Sequence, residues 1–123
     1  MKINLKNYGQ CECHLPSLAI CYDIVSMWSG NNDRNVMGRL CALSVCVAVN
    51  DKGFPRYKVS NIDPIGFGGQ CLEHLLNVGI PVNDILESGL KLVTWYATSL
   101  PSESEVKEQE NFIEQQPVEA LND

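Results

Sequence analysis

The fold is decided by residues 63–101, which read DPIGFGGQCLEHLLNVGIPVNDILESGLKLVTWYATSLP. Asp63 can cap a helix that has proline at its first position, and Gly79 can end that helix in a left-handed turn. Pro81 then restarts the chain, and Pro101 stops a second helix. This stretch therefore predicts two antiparallel helices joined by a short connector.

Two further helices are predicted upstream of this hairpin. Residues 16–28 place apolar side chains three and four positions apart, which is typical of one buried helical stripe. Residues 36–49 are apolar or small at almost every position, with Arg39 as the only charge, and this indicates a helix buried on several sides. A strand over residues 43–49 is the alternative, because valines alternate there and β-branched residues favour strands. We favour the helix.

The sequence thus predicts a mainly α protein, a compact bundle of four helices with an extended N-terminal arm and an acidic C-terminal helix or tail. The arm comprises residues 1–13, the helical domain residues 14–101 and the tail residues 102–123. The alternation of Ile3 and Leu5 in the arm is compatible with either a short strand or coil. One core is predicted to bury Leu40, Val47, Leu72, Leu75, Leu86, Leu90 and Val93.

Charge is distributed unevenly along the chain. The net charge is −6, yet residues 1–101 contain eight basic and eight acidic side chains, so all of the excess lies in the tail. A neutral body argues against nucleic-acid binding, which needs clustered cations to displace counterions from phosphates. Ser102 and Glu105 form a capping box that can start an acidic helix. We expect the tail to contact a basic surface of a partner or of a second copy through Glu103, Glu105, Val106, Glu108, Glu110, Phe112 and Ile113.

Targeting signals are not evident in the sequence. No apolar run approaches the roughly 18 residues needed to span a bilayer, so we expect no membrane insertion. The first ten residues lack the apolar region of a secretory signal. We therefore expect a location in the cytoplasm of a host cell or in a virion, where the six cysteines stay reduced.

A zinc site is the strongest metal hypothesis that the sequence offers. Cys11, Cys13 and His14 lie close together, and Cys21 can supply a fourth ligand. Structural zinc sites more often use two ligand pairs with two to four residues between the members of each pair. One intervening residue and the lack of a second pair favour structural thiols instead. A small regulatory module with an N-terminal zinc site remains the alternative function.

Catalytic signatures are weak in this chain. His14 and His74 are the two histidines, and no serine lies in a nucleophile-elbow motif. The glycines of residues 66–69 have no preceding strand and no Lys-Ser or Lys-Thr after them, so they favour close helix packing over a phosphate loop. We therefore predict a protein that is not an enzyme and needs no cofactor.

The order of features carries a resemblance. Leu15-Pro-Ser, a Cys/Ala/Val-rich helix, DPIGFGGQCLEHLLNVGIPVNDILESGL and a SLPSESEVKEQENF tail follow one another over residues 15–112. This pattern resembles small helical accessory proteins encoded near the head and tail genes of tailed bacteriophages. The resemblance implies a tail assembly chaperone or a minor virion component. Such a protein binds other proteins of an assembly, with copies of itself among the candidate partners, and catalyses nothing.

Overall fold

The computed structural model describes residues 1–49, 53–57 and 63–101. The elements within these ranges are two strands, β1 (Lys2–Leu5) and β2 (Gly9–Glu12), followed by four helices, α1 (Leu18–Trp28), α2 (Arg34–Val49), α3 (Pro64–Asn77) and α4 (Val82–Ser99). The four helices pack together, and the strands form a short hairpin at the N-terminus. The mainly α bundle predicted from the sequence is confirmed.

The α3–α4 hairpin forms as its sequence predicts. The Asp63 carboxylate accepts hydrogen bonds from the backbone N–H groups of Ile65 and Gly66, at 3.2 and 3.3 Å, and so caps α3. Gly79 has a φ of 92°, the left-handed conformation that only glycine adopts without strain. The chain then enters α4 directly after Pro81.

Helix α2 lies at the centre of the bundle and packs mainly against α3 and α4. Residues 43–49 lie within this helix, so the strand alternative for them is wrong, and every residue of 40–46 is buried, as is Ala48. The nearly continuous apolar sequence indicated a buried helix correctly, because a helix surrounded by other helices has no solvent-exposed face that requires polar side chains.

Two glycines set how closely the helices approach. A Cβ atom on Gly68 would lie 2.8 Å from the carbonyl carbon of Arg39, and one on Gly89 would lie 2.9 Å from the carbonyl oxygen of Cys41. The backbone of α2 therefore rests directly on α3 at Gly68 and on α4 at Gly89. These contacts confirm that the glycines of residues 66–69 include one that permits close helix packing.

The N-terminal segment is not the extended arm that we predicted. Its two strands pair antiparallel, with Ile3 opposite Cys11, and the turn between them uses Asn7 at a φ of 69°. The turn is attached to the helical hairpin: the Asn7 side-chain amide donates to the Gly79 carbonyl at 2.9 Å, and the Lys6 N–H donates to Asp84 at 2.7 Å. Ile3 and Leu5 are buried as a result. The apolar alternation of the arm therefore reflects a strand that covers the bundle.

The predicted core is correct in its centre and wrong on one side of α4. Leu40, Leu75 and Val93 are buried, and Leu72 and Val47 are partly buried against the same core. Leu86 and Leu90 are instead 39% and 53% exposed. The buried face of α4 is centred on Gly89, where α2 approaches, and consists of Ile85, Ser88, Gly89, Leu92, Val93 and Tyr96.

Residues 53–57, before α3, have no regular structure. Two of their aromatic side chains, Phe54 and Tyr57, are nevertheless buried. The Tyr57 hydroxyl donates to Asp23 of α1 at 3.0 Å. Within the described ranges, no helix combines the length and apolar character that crossing a bilayer requires.

Candidate functional site

Helix α4 carries a row of exposed apolar side chains on the surface of the bundle. Val82, Leu86 and Leu90 are each four residues apart and are 47%, 39% and 53% exposed. Residues spaced by four form one ridge on a helix, and such ridges are the contacts through which helices pack. We call these three residues the α4 row.

A shallow groove flanks each end of the α4 row. The one near the start of α4 has a volume of about 290 Å³, and Gly38, Leu72 and Leu86 contribute to its walls. The one near the end of α4 has a volume of about 560 Å³ and is lined by Met1, Lys2, Leu90, Lys91, Thr94, Trp95 and Thr98. The second groove presents mainly apolar surface, with half-buried Trp95 in its wall. Both grooves are open, so they suit the side chains of a docked segment better than an enclosed small molecule.

Basic side chains border both grooves. Arg34 and Arg39 lie beside the first groove, and Lys2 and Lys91 beside the second. Within residues 1–49, 53–57 and 63–101, only Lys91 of these four has a carboxylate within 4 Å, the Glu87 group at 3.8 Å. That pair is largely exposed, and exposed ion pairs contribute little to stability. The border therefore offers cations to an acidic ligand.

The candidate zinc ligands are not arranged as a metal site in the part of the chain that the structure describes. Cys11, Cys13 and Cys21 are buried, whereas the His14 side chain is exposed and its backbone N–H donates to Ala48. No group of three or more His, Cys, Asp or Glu side chains among the described residues is placed to hold a metal ion. Burial raises the pKa of Cys13, and the neighbouring Cys11 raises it further. A raised pKa opposes the deprotonation that zinc ligation requires.

Cys46 and Cys71 belong to a buried polar cluster between helices, whereas the Cys41 thiol donates to the Leu86 carbonyl at 3.8 Å. The Cys46 thiol hydrogen-bonds with Cys71, and this bond together with burial raises the pKa of Cys46. The Tyr96 hydroxyl donates to the Ser44 carbonyl at 2.7 Å, and burial raises the pKa of Tyr96. Thiols with raised pKa values are poor nucleophiles, so the cluster is suited to packing. The contact between Cys46 and Cys71 joins two helices, so it is not visible in the spacing of the sequence.

His74 and the tail residues are the other positions that the sequence analysis singled out. His74 is partly buried and packs edge-on against Phe54, with ring centroids 5.3 Å apart. The seven expected partner-binding residues of the tail, Glu103, Glu105, Val106, Glu108, Glu110, Phe112 and Ile113, lie outside the described residues, as does the predicted capping box.

Comparison with known proteins gives no relative from which to transfer a role. No protein-family model, curated protein or solved structure matches this chain. The α4 surface therefore has to be interpreted from its own chemistry.

The sequence did not predict the α4 row, because two of its residues, Leu86 and Leu90, were assigned to the core. Leu86 and Leu90 have the spacing of buried residues, and an apolar row at helical spacing does not itself distinguish a core face from a binding face. Gly89 was the residue in the sequence that could have shown which face of α4 is buried. A glycine within a helix often marks a close packing contact, and centring the buried face of α4 on Gly89 places Leu86 and Leu90 at its edge.

Proposed function

We propose that this protein is a non-enzymatic structural or assembly protein that acts through protein–protein contacts, using the α4 row as its main binding surface. The observation that carries this proposal is the exposure of Val82, Leu86 and Leu90 in one ridge between two open grooves. Contiguous exposed apolar surface bordered by polar groups is typical of protein interaction sites. Leu90 in particular is a large apolar side chain with more than half of its surface in solvent.

The assembly that we propose is a bacteriophage virion or its tail. Support comes from the resemblance of residues 15–112 to small helical accessory proteins of tailed phages, in which tail assembly chaperones and minor virion components occur. A bundle of four helices with an exposed apolar ridge on α4 is compatible with that role, because such a ridge lets a small protein dock on a larger one. Mass spectrometry of purified particles from a phage that encodes the chain tests this more specific claim.

The chemistry of the surface indicates what kind of partner fits. Its centre is apolar, and its border carries Arg34, Arg39, Lys2 and Lys91. A complementary segment is an amphipathic helix with acidic residues beside its apolar face, because opposite charges at the rim steer association and set orientation. Proteins of the same assembly, including second copies of this chain, are the proposed partners.

Sedimentation velocity over a concentration series tests the role of the α4 row. Leu90→Gln should weaken self-association or binding to a purified virion partner by about tenfold, since each residue at the centre of an interface typically contributes 1–2 kcal/mol or more. Leu18→Gln is the matched control, because Leu18 is a leucine of similar exposure, 49%, on a different helix, α1. Equal effects of the two substitutions, or no effect of either, would contradict the proposal.

A further inference from the structure

We infer that the acidic segment of residues 102–116 binds the α4 row of its own chain and covers this surface in the free protein. This inference rests on the proposed function, because it concerns the same surface and names its first occupant. A partner in the assembly would then displace the segment. The place where the chain leaves the bundle, the length of chain beyond it and its charge support this inference.

The chain leaves the bundle beside the larger groove. Helix α4 ends at Ser99, and Thr98 in its last turn lines the groove. Leu100 is extended, with φ −80° and ψ 149°, and its side chain packs against the core, so the segment starts next to the surface that it would cover. A ligand joined by so short a connection has an effective concentration in the millimolar range. At micromolar protein concentration, its own chain is therefore favoured over a second copy.

The chain beyond Pro101 is long enough to reach the whole α4 row. Leu90 and Val82 lie 11 and 19 residues before Pro101, which is about 16 and 28 Å along α4 at about 1.5 Å per residue. Fifteen residues can span up to about 50 Å when extended. Val106, Phe112 and Ile113 therefore provide apolar side chains within reach of the row.

Charge complementarity points to the same occupant. Residues 102–123 carry seven acidic side chains and one lysine, whereas the rest of the chain is neutral overall. Arg34, Arg39 and Lys2 border the α4 surface without a carboxylate within 4 Å in the ranges described. These groups lie within a Debye length, about 8 Å at physiological salt, of a segment docked in the grooves. Salt should therefore weaken the contact.

Photo-crosslinking in the full-length protein tests the inference. Phe112 is replaced by p-benzoylphenylalanine, which preserves an aromatic side chain at that position. A mixture of unlabelled and ¹⁵N-labelled protein is irradiated, and the crosslinked peptides are identified by mass spectrometry. We expect a crosslink to the α4 peptide that contains Leu90, with both halves from the same isotopic pool. Raising the salt concentration from 0.05 to 0.5 M should lower its yield by about twofold or more.

A second position provides the control. The same photoreactive residue in place of Leu18 on α1 should not crosslink to α4 near Leu90. Crosslinks between isotopic pools would overturn the inference in favour of an exchange between copies. Absence of any α4 crosslink from position 112 would overturn it as well.

The test separates this inference from the proposed function. If position 112 does not crosslink to α4 while Leu90→Gln still weakens assembly, the α4 row binds partners but is not covered by the segment. If Leu90→Gln has no effect on assembly while the crosslink forms within one chain, the segment belongs to the folded domain and the proposed function is wrong.

Discussion

At the scale of single residues, close packing at two glycines organises the bundle. The Cβ of an alanine at position 89 would overlap Cys41, whose Cβ and backbone both face Gly89. Neither group is the movable end of a long side chain, so α2 and α4 would have to separate. A single methyl group placed there therefore affects the whole contact between these helices.

Gly89→Ala is accordingly expected to destabilise the protein by about 1–3 kcal/mol, the usual cost of overpacking a core. The matched control is Gly38→Ala, because a Cβ at Gly38 meets only Leu86, at 4.0 Å. Alanine is the better helix former, so the control should gain up to about 1 kcal/mol. Urea unfolding of both variants measures the difference. Equal stability of the two variants would show that the α2–α4 contact is looser than described.

A buried thiol and a buried phenol make the free energy of unfolding depend on pH in the alkaline range. Burial raises the pKa of Cys41 to about 11 from 9.0. Burial, and then the hydrogen bond to Asp23, raise the pKa of Tyr57 to about 12 from 10.0. In each case the unfolded chain loses its proton first, so the contribution to stability is fully present below the unfolded pKa and is lost as pH rises towards the folded one.

We therefore expect the free energy of unfolding to fall as pH rises from about 9 to 12, by up to about 1.4 kcal/mol per pH unit for each group in its own window. Tyr57→Phe should make the fall between about pH 10 and 12 less steep and leave the part below pH 10 unchanged. Urea unfolding at a series of pH values measures both curves. A stability that is constant up to pH 12 would contradict the burial of these groups.

At the scale of elements, α3 and α4 contribute differently to the core. Leu75 of α3 is fully buried, whereas Leu90 of α4 is 53% exposed. Truncating a buried leucine removes favourable transfer energy and leaves a cavity, but truncating an exposed one does neither to the same extent.

Leu75→Ala should therefore lower the free energy of unfolding by about 2–5 kcal/mol, and Leu90→Ala by less than about 1 kcal/mol. Thermal and urea unfolding of the two variants provide the comparison. A large loss of stability for Leu90→Ala would mean that α4 is rotated relative to its described orientation and that the α4 row belongs to the core.

The sequence predicts the helices well because their signals are local. Asp63 and Gly79 act within one turn of the residues that they cap or terminate. The hairpin of β1 and β2 was harder to foresee, because its strands gain stability from contacts with Gly79 and Asp84, more than 70 residues away. The contact with Cys41 of α2 determines which face of α4 is buried, and no spacing within α4 reveals that contact. The candidate site was missed because the buried face of α4 was therefore assigned incorrectly.

The segment of β2 and α1 contains the candidate zinc ligands, and a chelator tests their role. Cys11, Cys13 and Cys21 are buried, and burial raises the pKa values of Cys13 and Cys21. Structural thiols of this kind do not depend on a metal, so EDTA should leave the helical circular dichroism and the melting temperature unchanged. Loss of structure in chelator that zinc restores would establish the regulatory zinc module instead.

At the scale of the whole molecule, the protein is a bundle with an exposed apolar ridge on α4, and the net negative charge of the chain lies in residues 102–123. In the proposed role, the ridge supplies apolar contact, and the basic residues around it attract an acidic segment. Both are needed for specificity, because apolar area alone does not select among partners. The central claim is that the α4 row is a binding surface and not merely exposed.

Hydroxyl-radical footprinting of the full-length protein tests this claim most directly. Leu86, Leu90 and Trp95 report on the α4 surface, whereas Leu18, Tyr22 and Met27 of α1 serve as a reference, with exposures of 49%, 46% and 37%. After correction for intrinsic reactivity, the account predicts that the α4 residues are oxidised several-fold more slowly than their exposure in the bare bundle implies, while the α1 residues react as their exposure predicts. Oxidation of the α4 residues at the full rate expected for the bare surface, in the free protein and in its assembled state alike, would contradict the account.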